Sequence, residues 1–158
     1  MNEDFRDILA SLLDQGAEFV VVGAHALAIH GAARATGDID LLVRPTAANA
    51  ARVASALRAF GAPLGTHGVS QEDFAVEGTI YQLGLPPRRI DVLTRIDGVS
   101  FDEAWSGRAT RTIDAMAVPF LGRAELVRNK RAAGRPKDLA DLALLDEAAA
   151  GDPAVERE

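Results

Sequence analysis

Asp38 and Asp40 stand one residue apart at the head of an apolar run, Leu41-Leu42-Val43. The run favours β-structure, and on a strand residues i and i+2 face the same side. Both carboxylates therefore project together while Ile39 turns into the core. Two like charges this close repel, and ionising both without a partner is costly. A divalent metal relieves that cost, because Mg²⁺ takes one or two protein carboxylates and fills its other positions with water and substrate phosphates. The plainer alternative for Asp-x-Asp is a pair of turn or cap carboxylates.

The residues upstream add a second element. Glu18-Phe19-Val20-Val21-Val22 is a short apolar run ending at Gly23-Ala24, and residues 24–30 read as a helix closed by Gly31. A strand, a glycine and a helix start leave free backbone N–H groups and the positive end of the helix dipole facing a ligand, which makes an anion site. Gly23 is expected to need a conformation or a close approach that a Cβ would obstruct. A phosphate cradle thus lies near the acidic pair, with Arg34 between them as a candidate phosphate contact.

Further along, the periodicity of Phe5, Ile8, Leu9, Leu12 and Leu13 predicts an amphipathic helix from about Glu3 to a stop at Gly16. Thr46 N-caps an alanine-rich helix running to Phe60 and Gly61. Residues 62–73 read as a polar, mobile loop. Strands are expected near 74–84 and 88–95, a small β-ribbon around 109–120, and two C-terminal helices broken at Gly134-Arg135-Pro136. The tail after Ala150 reads as frayed. The expected whole is one mixed α/β domain, residues 1–158, with a core over about 17–121 and a helical C-terminal extension over about 122–150.

Composition narrows the function classes. The chain has 158 residues, 48% of them hydrophobic and 25% charged, as in an ordinary globular domain. It contains no cysteine, which excludes disulfides and thiolate metal sites. No apolar run is long enough to span a membrane, so a cytoplasmic setting is expected. The net charge of −6 does not suit general nucleic-acid affinity, but residues 88–137 carry 11 basic side chains against 6 acidic ones and can face a polyanion. Solvated helix faces are the alternative.

Other candidates carry two readings each. Asp91 sits in the otherwise apolar strand Arg89-Ile90-Asp91-Val92-Leu93 and is a metal or base residue, or a salt-bridge partner. Lys130 is a phosphate or substrate contact, or part of a solvated helix face. Asp138 and Asp141 lie three apart on the last helix, where Asp138 favours the helix N-terminus or either acid pairs with Arg34 or Lys130. His25 and His30 are five apart, the wrong spacing for a shared zinc; His25 lies beside the cradle. His67 falls in the loop, and Trp105 reads as packing.

Taken together, Val22-Gly23-Ala24, thirteen intervening residues and Asp38-Ile39-Asp40 resemble the signature of the nucleotidyltransferase fold of the DNA polymerase β superfamily. The string from Gly23 through His30-Gly31, Arg34 and Thr36 to Leu41 looks like its small bacterial and archaeal branch, which includes minimal nucleotidyltransferases and AbiEii-like toxin enzymes. Leu126 to Lys130 and Arg135 to Leu142 look like the helical tail of these proteins. Ala24 departs from the pattern, standing where a second Gly or Ser is usual. The resemblance implies a nucleotidyltransferase-like mixed sheet flanked by helices, with Asp91 as the third catalytic carboxylate. It implies two-metal chemistry with Mg²⁺ or Mn²⁺ on Asp38, Asp40 and Asp91, and NTP phosphates held by Gly23, Ala24, Arg34 and Lys130. The implied reaction moves an NMP to an acceptor hydroxyl on tRNA, protein or a small molecule. A toxin–antitoxin or phage-defence setting and an antitoxin partner come with the resemblance. A catalytically weak module that binds nucleotide, RNA or a protein is the alternative, and Ala24 is its main support.

Overall fold

The computed structural model describes residues 1–151; of the tail expected to fray after Ala150, residues 152–158 lie outside the described residues. Six strands form one mixed sheet: β1 (Phe19–Val22), β2 (Asp38–Val43), β3 (Ile80–Leu83), β4 (Arg89–Leu93), β5 (Ala109–Ile113) and β6 (Met116–Phe120). Their spatial order is β3-β4-β2-β1-β6-β5. β2 runs parallel to β4 and β1 parallel to β6, whereas β1 and β2 are antiparallel. The helices are α1 (Glu3–Asp14), α2 (Gly23–Ile29), α3 (Ala47–Phe60), α4 (Phe101–Ser106), α5 (Arg123–Ala133) and α6 (Pro136–Ala150).

Side-chain alternation divides the core between the two sheet faces. Phe19, Val21, Ile39, Leu41 and Val43 pack with the buried stripe of α1 and with α3. Val20, Val22 and Leu42 pack on the other face with α2, α4, α5 and α6. Because both faces are covered, β1 is buried at all four positions. Asn2 caps α1 by accepting the Phe5 N–H at 2.9 Å, and Phe5, Ile8, Leu9 and Leu12 form its buried stripe. Each such side chain contributes about 1.5–3 kcal/mol through burial. Thr46 caps α3, which ends at Gly61 with φ of 105°.

The sequence expectation fails in three places. Residues 62–73 do not form a loose loop: Leu64 and Phe74 are buried in the α1–α3 core, and a 3-10 turn runs from Gln71 to Ala75. The strand expected from residue 74 starts only at Ile80. The Thr79 hydroxyl donates to the Asp73 carbonyl at 2.6 Å and the Thr94 hydroxyl to the Val76 carbonyl at 2.7 Å, so side chains satisfy backbone groups that a ladder would otherwise use. Helix α4 was not anticipated, although Ser100 and Glu103 form a capping box whose Ser-x-x-Glu spacing is visible in the sequence. The β-ribbon at 109–120 also extends the main sheet, through β6 on β1. Among the described residues no helix is long and apolar enough to cross a membrane.

Candidate active site

The register of β2 on β4 builds the first wall of the site. It sets Asp38 opposite Arg89 and Asp40 opposite Asp91. Since each strand contributes residues i and i+2, all four side chains share a face, the one covered elsewhere by α2 and the C-terminal helices. Ile39, between the aspartates, is fully buried on the opposite face. Carboxylate oxygens of Asp38, Asp40 and Asp91 come within 4.8 Å of one another. On the other side of β2, Val22 lies opposite Asp40, so the chain turns into α2 directly beside this acid. Gly23 makes that turn with φ of +68°, and a Cβ there would collide with the Asp40 carboxylate. Gly23 therefore answers two demands at once, a left-handed backbone and a close approach.

The three acids crowd one another. Burial pushes the Asp40 carboxyl up to about 7, and the charges of Asp38 and Asp91 push in the same direction. The Arg89 guanidinium lies across the outer edge of the cluster. Its Nε donates to Asp91 Oδ1 at 3.0 Å, and its Nη2 donates to Asp91 Oδ2 at 3.1 Å and to Asp38 Oδ2 at 2.6 Å. Thr36 Oγ1 donates to Asp38 Oδ1 at 2.9 Å and orients it.

The second wall is helical. Lys130 of α5 is 5% exposed and lies between Asp138 Oδ1 at 3.3 Å and Asp141 Oδ2 at 3.0 Å. It is not part of a solvated helix face. Arg34 reaches over from the segment before β2 and donates from Nε to Asp141 Oδ1 at 3.0 Å. Arg135 donates to Asp138 Oδ2 from Nε at 2.6 Å and from its backbone N–H at 3.1 Å. Burial alone would raise the Asp138 carboxyl, but the hydrogen bonds from Arg135 and Lys130 outweigh it and hold this group down to about 2. Both sequence readings of Asp138 therefore apply, as a helix-start carboxylate and as a Lys130 partner, whereas Asp141 joins Arg34 to Lys130. Gly98 lets the turn after β4 press against α5, where a Cβ would come within 2.7 Å of Ala132 Cβ and 3.1 Å of the Arg128 carbonyl.

Between the walls lies a cleft of about 930 Å³ lined by Gly23, Ala24 and the three acids. Arg34, Arg89, Arg95, Lys130, Arg135 and Lys137 bring positive charge to the same cleft. Part of the basic middle of the chain thus lines the same cleft as the acids.

Residues 7–157 match the family described as nucleotidyl transferase AbiEii toxins of type IV toxin–antitoxin systems. The chain belongs to this family. No curated protein matches it. As an AbiEii family member it is a nucleotidyltransferase and the toxin of a toxin–antitoxin pair, so it has a nucleotide substrate and an antitoxin counterpart. Three converging hard oxygen donors in such an enzyme suit a divalent metal.

The histidines take other roles. His30 Nε2 lies 2.8 Å from the Leu121 carbonyl and ties α2 to the end of β6. His25 stands edge-on to Phe5 at 5.5 Å between ring centres, and its Nε2 is buried with no hydrogen-bond partner among the described residues. Burial, with the positive N-terminus as a smaller cause, lowers its pKa and favours the neutral ring. His67 pairs with the Tyr81 hydroxyl at 2.7 Å. Trp105 stacks on Phe101 and carries Arg108 over its face, which is packing. Sequence reasoning noted Arg89 only as a neighbour of Asp91 and missed its contact with Asp38. The signal was the i, i+2 spacing of Arg89 and Asp91, but the partner strand's register is long-range information.

Proposed function

We propose that this AbiEii toxin transfers an NMP from an NTP to an acceptor hydroxyl and releases pyrophosphate. The observation that carries the reading is the paired register, Asp40 opposite Asp91 on one side and against Gly23 on the other. In this reading Asp38, Asp40 and Asp91 hold Mg²⁺ or Mn²⁺. The metal, when bound, supplies Lewis-acid stabilisation of the phosphoryl oxygens and a more acidic acceptor hydroxyl. Asp91 helps to take the proton of that hydroxyl. The N–H groups at Gly23 and Ala24 hold the β- and γ-phosphates; Val22, at the N-cap of α2, offers no side-chain cap, which leaves those donors to a ligand. Arg34, partly exposed and able to turn from Asp141 toward the cleft, contacts phosphate, and Lys130, held between Asp138 and Asp141, lends its charge from the helical wall. We read residues 1–151 as one domain, since the Arg34–Asp141 pair ties the C-terminal helices to the segment before β2. The cytoplasm, where NTPs and the candidate acceptors (tRNA, protein or a small molecule) are abundant, is the proposed setting.

Incubation of cell extract with α-³²P-labelled NTP tests the proposal. Label should move to one acceptor class, should require the divalent metal, and should vanish with Asp40→Asn. Nuclease or protease sensitivity of the product then separates RNA from protein. Absence of metal-dependent transfer from every NTP to any component of the extract would contradict it.

A further inference from the structure

Arg89 is the charged side chain at the acidic cluster that the proposed reaction leaves without a task. Its position is fixed by two strands, opposite Asp38 across the parallel ladder and two residues before Asp91 on its own strand. From there its guanidinium engages both oxygens of Asp91 and Oδ2 of Asp38. A metal held by the same acids would compete with the guanidinium for these carboxylates. A guanidinium is charged at any working pH, so a cation already lies on two of the three ligands. A divalent ion entering alone must take those oxygens from Arg89 and leave the displaced guanidinium close to a like charge. An ion entering with a triphosphate meets a different balance. The phosphates bring several negative charges and a new set of oxygens for the guanidinium fork. The Arg89 side chain is 30% exposed and lines the cleft, so it has room to swing toward such a ligand.

We propose that Arg89 is a tethered counter-cation that holds the metal's place on Asp38 and Asp91. It thereby discriminates against a free divalent ion and admits one that arrives with a triphosphate, whose phosphates receive the displaced guanidinium. Arg89 is then a positioning residue that couples metal binding to nucleotide binding. The inference rests on the metal-binding reading of the three aspartates. A purely structural Arg89 would stay on Asp38 and Asp91 throughout, and its removal would not change how strongly nucleotide promotes metal binding.

The test is a titration of the full chain with Mn²⁺, followed by calorimetry or by the paramagnetic signal of free Mn²⁺, with and without a non-hydrolysable NTP. Wild type, Arg89→Gln and Asp40→Asn are compared. Arg89→Gln should bind Mn²⁺ alone about tenfold more tightly than wild type, since a unit positive charge next to the ion is gone. The tightening of Mn²⁺ binding by nucleotide should shrink by a similar factor. If Arg89→Gln does not fold, Arg89→Lys serves, because one ammonium cannot span both acids in the same fork; it should bind Mn²⁺ alone more tightly than wild type, by less than about tenfold. Equal or weaker Mn²⁺ binding by the folded Arg89 variant, with binding still lost in Asp40→Asn, overturns the proposal and leaves the metal site standing. Mn²⁺ binding that is absent from wild type even with the nucleotide present, or that survives Asp40→Asn unchanged, overturns the metal reading and this proposal with it.

Discussion

The two walls of the cleft are made of the same materials and end in opposite electrostatic states. On the sheet wall three aspartates crowd together with one guanidinium that pairs with two of them, and the Asp40 carboxyl is driven up to about 7. On the helical wall two aspartates share Lys130, Arg34 and Arg135, and the Asp138 carboxyl is held down to about 2. The difference lies in charge balance. The helical cluster is fully paired and joins α5, α6 and the segment before β2. The sheet cluster has more negative charge than its surroundings satisfy, which costs stability in the metal-free chain and leaves affinity for a cation. Perturbed carboxylates in a cleft are a pointer to function, whereas paired ones point first to structure.

The largest effect should follow from breaking the balanced wall. Lys130→Met leaves two buried carboxylates without their shared cation and should cost about 3–5 kcal/mol, read from urea unfolding. A cost below about 1 kcal/mol would mean that the helical network does not hold the fold together. Breaking the unbalanced wall should have the opposite sign. Asp40→Asn removes one of three crowded charges and should raise the melting temperature of the metal-free protein by a few degrees. The same change should abolish the stabilisation by Mg²⁺ plus NTP, which is about 2.7 kcal/mol when ligand stands at a hundredfold excess over Kd. Equal ligand-induced shifts in both proteins would remove Asp40 from the site.

The pH dependence separates the walls with less force but a clear sign. Asp40 titrates near 7 when folded and near 3.8 when unfolded. Between those values the folded chain binds the extra proton, so this group's contribution to metal-free stability falls as pH rises from about 4 to about 7. Asp138 acts the other way: its contribution is complete above about 4 and is lost as pH falls toward 2. Urea unfolding at several pH values between about 5 and 8 should therefore show a declining component in wild type that is missing in Asp40→Asn. Parallel profiles would contradict the crowding of the three acids. The smallest expected effect is that of Ala24→Ser. It restores a hydroxyl at the start of α2 and should leave nucleotide affinity equal or slightly better, within about 0.5 kcal/mol by calorimetry.

What the sequence made legible follows the range of each interaction. The i, i+2 spacing of Asp38 and Asp40, the Thr46 cap and the Gly61 stop are local, and the structure has them where expected. The need for glycine at position 23 was also legible, but its cause was not. The space is taken by the Asp40 side chain from the neighbouring strand, a contact set by the β1–β2 register. The late start of β3 escaped because side-chain hydrogen bonds from Thr79 and Thr94 compete with the ladder there. The pairing of Lys130 with Asp138 or Asp141 was among the sequence readings, but its burial between the two was not, since that depends on how two helices pack.

The central claim is that the crowded wall, and not the paired one, takes the metal with the nucleotide. Anomalous diffraction from crystals grown with Mn²⁺ and a non-hydrolysable NTP tests it most directly. The account predicts manganese among Asp38, Asp40 and Asp91, with the triphosphate running toward Gly23. Manganese at Asp138 and Asp141, or nucleotide bound with no metal at the three aspartates, would contradict it.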